Sequence, residues 1–194
     1  MKTYFSSEDI FYDGSQLKSL YGYLHHGILG DSIVGWLGGC EVPKSHMVDG
    51  EDLRANSVIK GSSMAHFIVE KFDVDLYAGV ALQRLMTAIA MDVLKESAGG
   101  GPNASVAAGL RRDGDDIFSG NRKLSISIAT LSQASVLIHF AVNIKNEGTP
   151  VPTLSLEDLG VSPRAFAENF MTRVAAEADS ILLATRKVRP VGSF

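Results

Sequence analysis

The sequence predicts an α+β fold in which a mixed, largely antiparallel sheet is flanked by helices. Three segments alternate in polarity with the two-residue period of a strand, namely residues 64–70, 122–130 and 135–144. Residues 75–96 and 163–182 instead space their apolar side chains three and four positions apart, as a helix with one buried face does. The order of strand, helix, strands and helix along the chain is typical of an α+β domain.

The N-terminal elements follow from local signals. Apolar residues within 17–24 recur at helical spacing after an Asp-Gly turn, which predicts a first helix. Residues 32–37 form a short apolar run that ends at two glycines, so we expect a strand there. The polar segment 41–61 is broken by a proline and a glycine, and it predicts a long surface loop. Asp75 then provides an N-cap for the helix that extends to about Glu96.

The C-terminal elements carry clear capping signals. Residues 105–112 predict a strand that precedes the two already described. Ser155 and Asp158 have the spacing of a capping box, which predicts a short helical turn. Ser162 and Pro163 are suited to the N-cap and first turn of the last long helix.

The composition indicates one globular domain, which we place at residues 1–194. Hydrophobic residues make up 45% of the chain and charged residues 21%, an ordinary balance for a folded protein. The net charge of -4 and the lack of a lysine–arginine block argue against a nucleic-acid partner. The single cysteine, Cys40, leaves no internal disulfide and fits a reducing cytoplasm. Charged residues interrupt the longest apolar segment, 78–94, so we expect no membrane span.

Each of the three strands combines an apolar face with a face that mixes small and polar residues. The polar positions are His66 and Glu70 in the first strand, Lys123, Ser125 and Ser127 in the second, and His139 and Asn143 in the third. If these faces align in one sheet, they form a polar-lined groove with room for a small-molecule ligand. The alternative is that the polar faces meet solvent, as they do in many antiparallel sheets.

A charged turn at residues 115–128 is the most informative segment of the chain. Asp115 and Asp116 precede a short turn, and Lys123 follows it at the mouth of a strand. A lysine in this position offers a compact positive charge to a phosphate or an activated carboxylate, and the two aspartates could bind Mg²⁺ or orient a nucleotide. The alternatives are a solvated lysine at a strand entrance and an Asp-rich turn with no ligand.

The remaining polar residues give weaker signals. Cys40, His46, Asp49 and His66 match no recognised pattern of metal ligands, so we predict no metal site, and a metal-dependent hydrolase is the weakest hypothesis. His66 and His139 are each flanked by apolar residues, for which partial burial is the alternative to ligand binding. The chain contains no G-x-S-x-G motif, which argues against a serine hydrolase.

Several short motifs occur in the order found in biotin protein ligases. Residues 115–118 and 121–125, D-D-I-F and N-R-K-L-S, resemble the family's Asn-Asp-Ile-Tyr…Gly-Arg-Lys-Leu-Ala-Gly stretch. Residues 139–144 are similar to its Gly-Ile-Gly-Ile-Asn-Val strand, with Asn143 at the asparagine. Residues 153–160 resemble its Thr-Ser-Leu…Gly segment before the last core helix.

The chain as a whole resembles a prokaryotic family of uncharacterised proteins, domain-of-unknown-function family 366. The motifs that carry this resemblance are residues 30–34, 46–49, 66–70, 83–85 and 123–130. That family is similar in fold to biotin and lipoate protein ligases and to class II aminoacyl-tRNA synthetases. The resemblance to the ligases covers about residues 64–185 and implies their catalytic-core fold.

The ligase resemblance implies roles for individual residues. In those enzymes, the lysine that matches Lys123 contacts the acyl carboxylate and the phosphate of the acyl-adenylate. We therefore assign catalytic roles to Lys123 and Asp116, cofactor binding to Asp115, Asn143 and Arg112, and substrate binding to Ser125, His139, Glu70 and His66. The sequence does not identify the cofactor, for which ATP and Mg²⁺ are the candidates. A homodimer is expected because the related ligases and synthetases commonly pair.

Two departures from the ligase pattern limit what the resemblance implies. Residues 41–63 contain only three basic residues and lack the Gly-Arg-Gly-Arg-x-Gly-Arg loop that folds over the adenylate. Ile126 stands where the ligases have a glycine, and strand alternation places its side chain on the core face, away from the groove. The leading hypothesis is therefore a ligase- or acyltransferase-like enzyme acting on a small carboxylate or activated acyl group. The alternative is a non-catalytic small-molecule-binding module on the same fold.

Overall fold

Eight strands form the sheets of the described part of the chain. A computed structural model describes residues 1–192, and the last two positions of the predicted domain, 193 and 194, lie outside the described residues. The strands are β1 (Lys2–Phe5), β2 (Ser32–Val42), β3 (Ile59–Phe72), β4 (Arg111–Asp113), β5 (Asp116–Ser119), β6 (Arg122–Lys123), β7 (Ser125–Leu131) and β8 (Ser135–Asn143). The order β1-β2-β3-β8-β7 makes a five-stranded sheet, and β4, β5 and β6 make a small second one. Only the β1–β2 pair in the described sheets is parallel, so the predicted mixed, largely antiparallel arrangement is confirmed.

Six α-helices complete the described fold. They are α1 (Tyr21–His26), α2 (Gly50–Ala55), α3 (Leu76–Ala98), α4 (Ala104–Ala108), α5 (Leu156–Leu159) and α6 (Pro163–Thr185). The long helices α3 and α6 begin where predicted, because the side chains of Asp75 and Ser162 accept hydrogen bonds from the backbone of the first turn. The predicted capping box is also present at α5, between Ser155 and Asp158. Within residues 1–192, no helix is long and apolar enough to cross a membrane.

The main hydrophobic core lies between one face of the large sheet and helices α3 and α6. Phe67 and Phe140 project from the sheet and meet Phe166 and Phe170 of α6, with Phe67 and Phe170 ring centroids 4.7 Å apart. All four rings are fully buried. Each contributes about 1.5–3 kcal/mol of hydrophobic stabilisation, so this cluster fixes how the helices sit on the sheet.

A smaller core covers part of the opposite face of the sheet. Trp36, Met64 and Ile68 project from that face, and the N-terminal segment places Tyr12 and Tyr21 on top of them. The predicted polar face is therefore partly covered by the protein's own chain. Only the portion near β7 and the end of β8 is left for a groove.

Two predicted elements in the N-terminal half are wrong in extent. The first helix does not begin near residue 17, because Leu20 has a φ of 61° and cannot continue a right-handed helix. Residues 41–61 are not a single loop. Strand β2 passes through a bulge at Gly38–Cys40 and pairs with β3 as far as Val42 and Ile59, and α2 occupies much of the connection.

The predicted strand at residues 105–112 is also wrong. Residues 104–108 form helix α4, and only residues 111–113 form a strand. Three of the five residues in α4 are alanine, which has the highest helix propensity, and this local preference outweighs a short stretch of alternating polarity.

The predicted strand at 122–130 is two strands with a break at Leu124. The backbone N–H of Leu124 bonds to the carbonyl of Ile117 in β5, while Ser125 begins the pairing with β8. Leu124 belongs to the helix-side core, and Ser125 lies on that same side, opposite Val142. Two consecutive side chains therefore point the same way, which reverses the alternation for the rest of β7.

Candidate functional site

A groove of about 460 Å³ opens on the sheet face that the N-terminal segment leaves uncovered. Its floor consists of β7 and β8, and Tyr12 closes its inner end. Its walls come from the β5–β6 region, from residues 149–153 and from the connection that contains α2. The groove is large enough for a small organic molecule.

Lys123 and Asp116 form an ion pair inside the groove. The Lys123 Nζ lies 2.7 Å from Oδ2 of Asp116, and the two side chains are 30% and 24% exposed. Burial raises the pKa of the Asp116 carboxyl above its ordinary value, and the lysine acts in the opposite direction. The structure therefore brings together the two residues that were assigned catalytic roles, as a close and partly dehydrated pair.

The backbone around Lys123 is fixed from both sides. Its N–H donates to the carbonyl of Pro152, and its own carbonyl accepts from the N–H of Leu154, each at 3.0 Å. The Asn143 side-chain amide donates to the carbonyls of Lys123 and Leu154, each at 3.2 Å. Asn143 lines the groove as predicted, and its amide N–H groups hold the strand that carries the lysine.

Asp115 borders the groove, but its carboxylate is occupied by a network with α3. Gln83 Nε2 donates to Asp115 Oδ2 at 2.9 Å and to Ser127 Oγ at 2.8 Å, and the Ser127 hydroxyl also donates to Asp115. The Thr87 hydroxyl lies 3.0 Å from the Asp115 carbonyl. Gln83 is only 5% exposed, and it joins α3 to the charged turn. No periodic signal distinguishes such a glutamine from an exposed one.

The side of β7 that meets the groove is apolar, which corrects the predicted alignment of polar faces. Ile126 and Ile128 pair with Ala141 and His139, share their face and line the groove. Ile126 is thus not on the core face, because the break before Ser125 reverses the alternation. Ser125 touches the groove's edge but is fully buried, and its hydroxyl accepts from the Ile117 N–H.

His139 and His66 form a buried pair at the inner end of the groove. Nε2 of His139 lies 3.1 Å from Nδ1 of His66. The Tyr12 ring stacks on His139 with centroids 3.8 Å apart, and Trp36 stacks on His66 at 5.6 Å. Burial lowers the pKa of both imidazoles below the ordinary value, so both are neutral at physiological pH. Of the two, only His139 lines the groove.

Two other residues with assigned substrate or cofactor roles lie away from the groove. The Glu70 carboxylate is 2% exposed and accepts a hydrogen bond from Ser135 Oγ of β8. It also accepts from Leu20 N–H and Ser19 Oγ, and these two bonds anchor the N-terminal segment to the sheet. Arg112 is exposed on β4 and donates to the carbonyl of Gly114.

The four residues that invite a metal interpretation are scattered. Cys40 is buried beside Tyr12, and burial raises the pKa of its thiol to about 12. His46 Nδ1 lies 2.8 Å from the carbonyl of Asp13, and Asp49 caps α2. In residues 1–192, no three His, Cys, Asp or Glu side chains are grouped to hold a metal ion. His46 and Asp49 nevertheless lie in the groove wall. The sequence predicts a surface loop for this segment, and that prediction does not say which of its residues face a groove.

The fold is that of the biotin and lipoate protein ligases. A mutant biotin protein ligase from Aquifex aeolicus in complex with biotin superimposes with a TM-score of 0.58 and 10% identity, over 92% of this chain and 70% of that one. A T. acidophilum protein with bound lipoic acid gives a TM-score of 0.51 and 13% identity, over 91% of this chain and 84% of that one. At these identities the likeness shows a common fold.

Within that fold, the chain belongs to the family "Domain of unknown function (DUF366)", which it matches over residues 1–189. A protein of unknown function from Pyrococcus horikoshi is 38% identical and superimposes with a TM-score of 0.88 over 98% of each chain. An uncharacterised protein of Methanocaldococcus jannaschii is 33% identical over 98% of this chain and 86% of its own length. The predicted family is thus confirmed.

Proposed function

We propose that the groove binds a small carboxylic acid or its activated acyl derivative, with Lys123 as the partner of the anionic end. The observation that carries this proposal is the Lys123–Asp116 pair, a partly buried charge pair inside a groove of about 460 Å³. The ligands of the two similar ligase-fold structures, biotin and lipoic acid, are themselves carboxylic acids.

The electrostatics of the pair determine how an anion binds. Lys123 and Asp116 together are neutral, so a ligand carboxylate adds an uncompensated negative charge to a partly dehydrated site. Asp116 must turn away or take up a proton, and burial already raises its pKa in that direction. Protonation of Asp116 therefore favours the binding of an acid.

The rest of the groove suits the body of such a ligand. Ile126, Ile128 and Met64 provide an apolar surface between the charged pair and the histidine end. If the acid reacts with a nucleotide, Lys123 is placed to stabilise negative charge on the phosphate. In that case Mg²⁺ rather than a proton would balance the charge of the Asp116 carboxylate, since Mg²⁺ often binds through one or two carboxylates and substrate phosphates. Asp115 is instead held by Gln83 and Ser127.

A binding module without adenylation is the second candidate, and the groove wall favours it. The connection between β2 and β3 contributes Asp49, Glu51 and Asp52 to the lining, and β3 adds the basic residue Lys60. A polyphosphate without bound cations meets repulsion from these carboxylates. The wall thus lacks the positive charge that the ligases' arginine-rich loop would supply.

Calorimetric titration with a panel of small carboxylic acids tests the proposal. Lys123→Gln should weaken acid binding by about tenfold to a hundredfold, since hydrogen bonds to charged groups contribute about 1.5–3 kcal/mol. Lys145→Gln is the matched control, because Lys145 is exposed and lies outside the groove lining. An equal loss of acid affinity in both variants, or no loss in Lys123→Gln, would contradict the role of Lys123 in acid binding. Pyrophosphate release with ATP, Mg²⁺ and a bound acid would distinguish the enzyme from the module.

A further inference from the structure

Tyr12 separates the groove from the smaller core on the same face of the sheet. Its side chain lines the groove, yet it is only 3% exposed because it belongs to that core together with Trp36 and Met64. The phenol ring lies flat on the His139 ring, with centroids 3.8 Å apart and planes inclined by 15°, so the two rings are in van der Waals contact and no ligand atom fits between them. A ligand that extends along the floor from Lys123 toward His139 therefore meets Tyr12 as an end wall.

The backbone of Tyr12 is fixed on strand β2. Its N–H donates to the carbonyl of Gly39 at 2.9 Å, and its carbonyl accepts from the N–H of Glu41 at 3.0 Å. Gly38 allows the segment before Tyr12 to lie directly on the strand, because a Cβ at that position would collide with the carbonyl oxygen of Ile10. The end wall is therefore part of the hydrogen-bonded framework of the sheet, and a ligand cannot displace it at little cost.

The floor between Lys123 and Tyr12 is apolar and has a defined length. Asn143 bonds to the Lys123 carbonyl, and His139, beneath Tyr12, lies four residues from Asn143 along β8. Four residues of a strand span about 13 Å. The isoleucines of β7 cover this distance and offer no polar group to a ligand. Since an extended chain advances about 1.2 Å per bond, the floor accommodates about ten chain atoms.

We propose that Tyr12 is a specificity-determining residue whose ring sets the longest acid that the groove accepts. The ligand is an acid whose carboxylate binds Lys123 and whose apolar chain of about ten atoms ends against Tyr12. The inference rests on the proposed function and adds the length class of the ligand. Lys123 contributes affinity to an acid of any length, whereas Tyr12 acts only on acids that are long enough to reach it. Varying the length of the ligand therefore separates the two roles.

Calorimetric titration with straight-chain saturated carboxylic acids of increasing length tests the role of Tyr12. In the wild type, affinity should increase about fourfold with each methylene that the isoleucine floor removes from water, and the increase should stop at about ten chain atoms. Tyr12→Ala should move this limit to longer acids. An acid about two carbons beyond the wild-type limit should bind Tyr12→Ala about tenfold more tightly than wild type. Tyr12→Phe is the matched control, because it keeps the ring and should keep the wild-type limit.

A second variant tests the same limit from the floor of the groove. Ile128 is partly exposed and pairs with His139, so a larger side chain there fills the inner end of the groove. Ile128→Phe should therefore move the limit to shorter acids. This variant keeps the proposal testable if Tyr12→Ala does not fold, which the fluorescence of the buried Trp36 reports.

The outcomes separate this inference from the proposed function. If acids bind through Lys123 but show no length limit, or the same limit in wild type, Tyr12→Ala and Ile128→Phe, the role of Tyr12 is overturned and the acid-binding proposal stands. A uniform loss of affinity at every length in Tyr12→Ala, without a shift of the limit, would also overturn it, because Tyr12 would then act on the fold alone. If no acid binds, or if Lys123→Gln leaves the affinity unchanged, the proposed function fails and the length class fails with it.

Discussion

Acidification should destabilise this protein through the buried His66–His139 pair. Both imidazoles are neutral in the fold because burial lowers their pKa, to about 3 for His66. The unfolded chain binds these protons once the pH falls below about 6.5, whereas the folded protein does not until far lower pH. The free energy of unfolding is therefore undiminished above about pH 6.5 and decreases as the pH falls from there toward the folded pKa.

The size of this effect follows from the same pKa values. At about pH 5, an unfolded-state histidine with a pKa of about 6.5 binds its proton with a linked free energy of about 2 kcal/mol. Two such residues reduce the free energy of unfolding by about 4 kcal/mol relative to about pH 7.5. That is a large share of the roughly 5–15 kcal/mol by which domains are stable.

Urea unfolding at a series of pH values measures the effect. Trp36 is the single tryptophan of the chain, is fully buried and stacks on His66, so its fluorescence reports on this region. His66→Gln and His139→Gln should each remove about half of the loss between pH 7.5 and 5. The exposed His25→Gln should leave it unchanged. Carboxylates titrate in the wild type and in every variant, so their contribution cancels when the pH dependence of a variant is subtracted from that of the wild type. Parallel curves for wild type and both buried variants would refute the reasoning.

Three further outcomes are expected. Acid binding should strengthen as the pH falls below neutrality, because burial raises the pKa of Asp116 and its protonation removes the competing charge. Asp116→Asn should bind the acid more tightly than wild type at neutral pH and lose this pH dependence, and weaker binding by calorimetry would contradict the coupling. Gln83→Ala should reduce the free energy of urea unfolding by about 1–3 kcal/mol, because Asp115 and Ser127 lose a hydrogen-bond partner. Arg84→Ala is the control, and it should reduce the free energy of unfolding far less, because the Arg84 guanidinium lies 3.8 Å from Asp115 and is partly exposed. Phe170→Ala should cost about 3–5 kcal/mol by the same measurement, since its fully buried ring contacts Phe67, Phe140 and Phe166.

Sequence reasoning was reliable where one local signal acts alone. Asp75 and Ser162 mark the starts of the two long helices because an N-cap acts within a single turn. The alternation in β3 and β8 is confirmed because both strands are central and each has one face against the helices. The family resemblance supplied the fold class, which pattern alone left at the level of a mixed sheet.

The missed features depend on long-range contacts. Strand β2 continues beyond Gly38 because β3 pairs with it, and no segment of β2 alone shows this. Glu70 and His66 share a polar face in the sequence, yet the N-terminal segment folds over them, so they anchor structure outside the groove. Six of the assigned site residues do border the groove, namely Asp115, Asp116, Lys123, Ser125, His139 and Asn143. Their functional roles stay predictions.

The break at Leu124 has a consequence for the chemistry of the groove. It lies outside the groove's floor, yet it decides which set of β7 side chains meets a ligand. Unbroken alternation from Lys123 would turn the hydroxyls of Ser125 and Ser127 toward the groove in place of Ile126 and Ile128. The polarity of the floor is thus set by the backbone at one residue as well as by the residue types of the strand.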